Sequence, residues 1–242
     1  MKYFNDDNIN VEQDKWIDIA FPVTIIAISF GLIFPGLIIQ LLGKLNWPLG
    51  DFSKVSIRVI ATQILFILPL FFVAILKDKN ISLRKKLGFI NWDNKYYLEV
   101  LCYELILFLP LWVIAATFFL IFDYFGYKTT SPVAELLLSV STRGRLLFFI
   151  LSVALAPIIE ELVFRRVVFT FLKKFIGITP AILIASLIFG ALHGGLVQLI
   201  PLTILGIVLQ ILYLKHNSIY PSIMLHSLHN FIVMSIFLSL GV

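Results

Sequence analysis

One stretch of this chain, "LAPIIEELVFRRVVF" at 155–169, holds two adjacent carboxylates and two adjacent guanidiniums, Glu160, Glu161, Arg165 and Arg166, inside an apolar run. Two further apolar runs carry imidazoles: "FGALHGG" ends on His193 and its glycines, and "HSLHN" holds His226, His229 and Asn230. A carboxylate, imidazoles and a carboxamide around one cavity could activate a water and stabilise an oxyanion. The chemistry this suggests is hydrolysis of an amide bond.

Helical spacing sorts these residues before any fold is known. Glu161 and Arg165 are i,i+4 and stack on one helix face as an ion pair. Glu160 is turned from Glu161 by about 100° and faces a different neighbour. His226 and Asn230 are again i,i+4, with His229 offset to the side. Arg166 is expected to snorkel out to the interface. His193 follows small residues, Ala181, Ala185, Ser186, Gly190 and Gly194, whose spacing lets helix backbones approach closely. Measured down helices from their assumed cytoplasmic ends, Glu160, His193, His226 and Asn230 fall about 12–21 Å deep. That places all four in one slab near the middle of a core about 30 Å thick.

The elements that must position them are membrane helices. The chain of 242 residues is 60% hydrophobic and 14% charged, with a mean hydropathy of +1.00. Soluble domains average about 25% charged residues. The expected fold class is all-α, a polytopic transmembrane bundle of about seven spans, with six to eight admissible. The spans are read at 17–42, 55–76, 97–122, 146–173, 179–195, 197–214 and 218–240 from apolar-run length. The fifth is short, and an irregular turn at Gly194-Gly195 could join it to the sixth inside the membrane. The chain reads as a single transmembrane domain, 1–242, with a motif-bearing core at 143–240.

Lys and Arg set the orientation. With the N-terminus on one side, thirteen of them share that side and six lie opposite. The side with the N-terminus and the loop "KDKNISLRKKLGFINWDNK" is therefore expected to be cytoplasmic, that loop serving to set topology. The acidic N-terminal arm does not resemble a cleaved signal. A bacterial inner (cell) membrane is the expected location.

Other polar residues in the spans are Glu99, expected at the interface, Glu104, whose partner is not identifiable, Gln198 and Gln210. His229 supports the site or merely packs. Cys102, the single cysteine, allows no internal disulfide and reads as a small packing residue. The net charge of +5 comes without an aromatic-basic motif, so no nucleic-acid partner is expected. Membrane lipids and a peptide or protein substrate, lipidated or not, are the expected partners.

Two catalytic routes remain open from the residues. In one, Glu160 is a general base for water, with no cofactor. In the other, Glu160, His193 and His226 form a two-His, one-carboxylate set for a divalent metal such as zinc. A non-proteolytic membrane binding, immunity or scaffold protein and a proton-coupled transporter are the rival functions.

Glu-Glu-x-x-x-Arg at 160–165, Phe-x-x-x-His at 189–193 and His-x-x-x-Asn at 226–230 together resemble the CAAX-protease and bacteriocin-processing (Abi) family of intramembrane endopeptidases. The resemblance covers about 143–240. It implies that Glu160 is the catalytic base, His193 its partner on the water, and His226 with Asn230 the oxyanion site. Glu161 and Arg165 would support the first motif. Family members acting on prenylated proteins often carry a Tyr four residues before the Phe; Ala185 stands there. This departure bears on the substrate and leaves the hydrolytic core intact.

Overall fold

The structure, a computed structural model, describes residues 15–46, 50–77, 79–90, 93–130, 132–193 and 195–239. Its elements run α1 (Ile17–Lys44), α2 (Asp51–Leu76), α3 (Leu83–Lys86), α4 (Lys95–Tyr124), α5 (Pro132–Ser139) and α6 (Thr142–Ile150). A π-helical turn (Leu151–Leu155), α7 (Ala156–Glu161), a second π segment (Leu162–Val168) and α8 (Phe169–Ile176) continue α6 without a break. Then come α9 (Ile178–Leu192), α10 (Leu196–His216) and α11 (Tyr220–Ser239).

Among the described residues, six helices are long and apolar enough to cross a membrane: α1, α2, α4, the composite helix Thr142–Ile176, α10 and α11. The protein is an integral, multi-pass membrane protein. The seventh apolar segment is the 15-residue α9. At 1.5 Å per residue it reaches only about 22 Å, short of a core about 30 Å thick. The irregular turn expected after it begins at His193, but Gly194 lies outside the described residues.

Small residues bring α9 and α10 together, as their spacing predicts. A Cβ on Gly190 would stand 2.6 Å from Leu199 O, and one on Gly206 would stand 3.0 Å from Ser186 Cβ. Larger side chains would therefore push the two helices apart. The fully buried Ala181, Ala185 and Ser186 line the same α9 face. One apolar core joins the start of α1, the end of α2, the second π segment and α9. A smaller core sits among α4, α10 and α11.

The basic loop does more than set topology. Lys86 is buried, and its Nζ donates to Ala74 O and to Lys77 O at the C-terminus of α2. Cations there satisfy carbonyls that the helix leaves unpaired. Arg166 corrects the snorkelling expectation. It is only 7% exposed, donates from Nε to Lys86 O and lies over the Trp16 ring at 5.7 Å. Its charge is spent joining the long helix to the loop rather than reaching water. Cys102 is a second correction, since it is exposed on the outside of α4 and packs into no core. Glu99 contacts Lys215 at 2.6 Å and His216 at 2.8 Å at one end of the bundle, as an interfacial carboxylate should.

Candidate active site

The two π turns bracket α7, which carries Glu160 and Glu161 at its last two positions. Each π turn widens the helix locally, and such turns recur at functional sites. Ser152 lies in the first π turn and Arg165 in the second.

Glu161 is fully buried and saturated. Arg165 donates to it from Nε at 2.8 Å and from Nη2 at 3.3 Å, the i,i+4 pair expected from spacing. His226 Nδ1 adds a third contact at 3.0 Å. Arg165 also stacks its guanidinium 5.0 Å from the Phe189 ring centre. Phe189, the first residue of the second motif, is itself wedged against Phe164, His193 and His226. A single buried ring thus spaces three polar side chains.

Glu160 differs in every respect. It lines a cavity of about 280 Å³ with His193, His226, His229 and Asn230. Its Oε2 lies 3.5 Å from His193 Nε2 and 3.7 Å from His226 Nε2. Both distances are long for a hydrogen bond, and Oε2 has no hydrogen-bond partner among the described residues. The ring orientations are set from behind. His193 Nδ1 is 2.7 Å from Phe189 O, and a carbonyl oxygen only accepts, so Nδ1 carries the proton. His226 Nδ1 donates to the Glu161 carboxylate in the same way. Both Nε2 atoms therefore turn toward Glu160. Asn230 donates one N–H from Nδ2 to Ser152 O at 2.9 Å and has a second N–H to offer.

The structure thus brings together all six residues singled out from the motifs: Glu160, His193, His226 and Asn230 at the cavity, with Glu161 and Arg165 behind them. It also finds the partner of Glu104. His229 Nδ1 lies 3.0 Å from Glu104 Oε1, and both side chains are buried. That contact ties His229 to α4. Among the described residues, no group of three His, Cys, Asp or Glu side chains is arranged to hold a metal ion.

Gln63, absent from the polar residues singled out above, also lines the cavity. The available signal was one carboxamide in the run "IATQILFILPL" of the second span. No motif spacing marks it.

Residues 142–232 match the family model "Type II CAAX prenyl endopeptidase Rce1-like". The motif-bearing segment is thus similar to the CAAX-protease family. The chain is also similar to the "Putative membrane peptidase YdiL" of Bacillus subtilis (strain 168), with 30% identity over 130 residues. That alignment covers 50% of this chain, and the chain spans about half (53%) of the relative's length. No solved structure matches. The matched segment contains all three motifs and every cavity residue named so far except Gln63, which belongs to α2.

Proposed function

We propose that this protein is an intramembrane endopeptidase of the CAAX-protease type, and that Glu160 activates the attacking water. The observation that carries this reading is Glu160 Oε2, buried without a hydrogen bond and flanked by two imidazole Nε2 atoms at the wall of a cavity. A water there would donate one hydrogen to Glu160 and the other to His193 Nε2, leaving an oxygen lone pair free. Glu160 takes the proton as that oxygen attacks the peptide carbonyl. Asn230, through its second N–H, and His226, through Nε2, stabilise the oxyanion. The intermediate collapses with cleavage of the C–N bond, and the proton on Glu160 passes to the leaving amine.

No step is routed through a metal. Glu160, His193 and His226 supply the donor types of a two-His, one-carboxylate site, and hydrogen bonds behind an imidazole are a feature of metal ligands too. The metal-free route is supported by the described residues, among which no three His, Cys, Asp or Glu side chains are grouped to hold a metal ion. The substrate is a peptide or protein within reach of the bilayer, cut in its cytoplasmic half. The N-terminus and basic loops face the cytoplasm of a bacterial cell, a reading supported by the excess of Lys and Arg on that side.

The test is proteolysis by purified protein, with and without chelator, comparing wild type with Glu160→Gln. Cleavage that needs Glu160 and survives the chelator is expected. Cleavage undiminished in Glu160→Gln would leave a different nucleophile or no role for this site.

A further inference from the structure

Three residues lining the cavity each hold a buried side-chain oxygen without a hydrogen-bond partner among the described residues: Glu160 Oε2, Gln63 Oε1 and Gln198 Oε1. Native structures leave few such atoms, and each asks for an explanation. Hydrolysis accounts for Glu160. It makes no use of the two glutamines.

Their positions are informative. Gln63 is 8% exposed and stands one turn beyond Val59, which lines the same cavity from α2. Gln198 stands in the first turn of α10. Its carboxamide folds back over Gly195, where a Cβ would collide with Oε1. Gln198 also lines a second, more apolar cavity of about 500 Å³ between α4, α10 and α11, walled by Trp112, Phe119 and Phe237. Gln198 and His229 belong to both cavities, so the apolar space opens directly beside the polar one.

A peptide bond that water is to attack must leave its helix, which frees backbone N–H and C=O groups. Within a membrane no bulk water satisfies them, so the protein must. A carboxamide offers an acceptor and donors, the same complement as a peptide group. Two orphaned carboxamide oxygens, from two different helices, meet that need.

We propose that Gln63 and Gln198 are substrate-positioning residues. Their Oε1 atoms accept hydrogen bonds from backbone N–H groups of an extended peptide next to the scissile bond, and the apolar cavity takes a large apolar side chain of that peptide. This rests on the endopeptidase reading above. It adds a residue, Gln63, from outside the segment that matches the family model.

The test uses wild type, Gln63→Leu and Gln198→Leu in proteoliposomes, with a library of quenched-fluorescent ten-residue peptides rich in leucine and phenylalanine. Each variant should lower kcat/KM about tenfold, the worth of one lost hydrogen bond at this scale. Tm should stay unchanged or rise, because an orphaned carboxamide oxygen contributes no hydrogen bond to the fold. N-methylation of the substrate at one backbone nitrogen should cost wild type about tenfold and cost the matching Leu variant nothing further. Gly195→Ala, which displaces the Gln198 carboxamide on a backbone any residue adopts, should reproduce Gln198→Leu. Normal kcat/KM in both Leu variants, or activity lost only in step with Tm, overturns the proposal. If wild type cleaves none of the peptides, binding of the same library to wild type, Gln63→Leu and Gln198→Leu is read instead. Binding that falls in both Leu variants supports the positioning role independently of hydrolysis, and binding indifferent to them overturns it.

Discussion

Helix α4 meets its surroundings differently from α10 and the composite helix Thr142–Ile176. Of the most apolar window of α4, 6% is buried, against 44% for α10 and 33% for the composite helix Thr142–Ile176. Leu98, Leu105, Ile106, Leu109 and Leu120 of α4 are all exposed, as suits side chains bathed in hydrocarbon. In the second half, Leu162 through Thr170 are all buried. The polar exceptions in the first half point the same way. Glu104 is buried on His229, and Gln63 is buried at the cavity. A lipid-facing helix thus carries interior polar side chains where it touches the motif-bearing half, because a polar group in lipid has no partner.

The sharpest break of this comparison comes at Glu160. Glu160→Gln should lower cleavage by about 10²–10⁴-fold, the typical worth of general-base catalysis. The chain should still insert, since Glu160 makes no hydrogen bond through Oε2 that the fold needs. Its neighbour should behave in the opposite way. Arg165→Ala leaves the Glu161 carboxylate buried beside a histidine alone, and removing one member of a buried ion pair costs about 3–5 kcal/mol. Unfolding in detergent should therefore show a large drop in stability for Arg165→Ala and little for Glu160→Gln. Similar losses in both would erase the division of labour between the adjacent carboxylates.

The contact between the halves should cost less. Glu104→Leu or His229→Leu alone strands a buried polar partner, for about 1–3 kcal/mol. The double replacement should recover most of that loss, read from a double-mutant cycle of unfolding free energies. The smallest effect belongs to the exposed pair Lys128–Glu135, 2.5 Å apart outside the spans. The hydrogen bond from Lys128, with help from Thr130, holds the Glu135 carboxyl below its usual range. A lowered carboxyl adds stability above its unfolded value and loses it as pH falls through the folded one. Both side chains are well exposed, so solvent screens the pair. Lys128→Ala should leave the pH 4–7 profile of Tm unchanged, and a visible shift would show a role in joining α4 to α5.

What the sequence determined by itself was local. Apolar run length marks the six long helices and the short α9, because hydrocarbon thickness sets the length a span needs. The separation of Glu161 from Glu160, and its pairing with Arg165, follow from 3.6 residues per turn. Motif order and spacing marked Glu160, His193, His226 and Asn230. The tertiary structure decided what those residues face. His226 lies 65 residues from Glu161, His229 lies 125 from Glu104, and Arg166 lies 80 from Lys86. None of these pairings has a periodic signal, since side chains on different helices meet through packing and not through spacing. The two π turns that flank α7, the burial of Arg166 under Trp16 and the presence of Gln63 at the cavity belong to that same class.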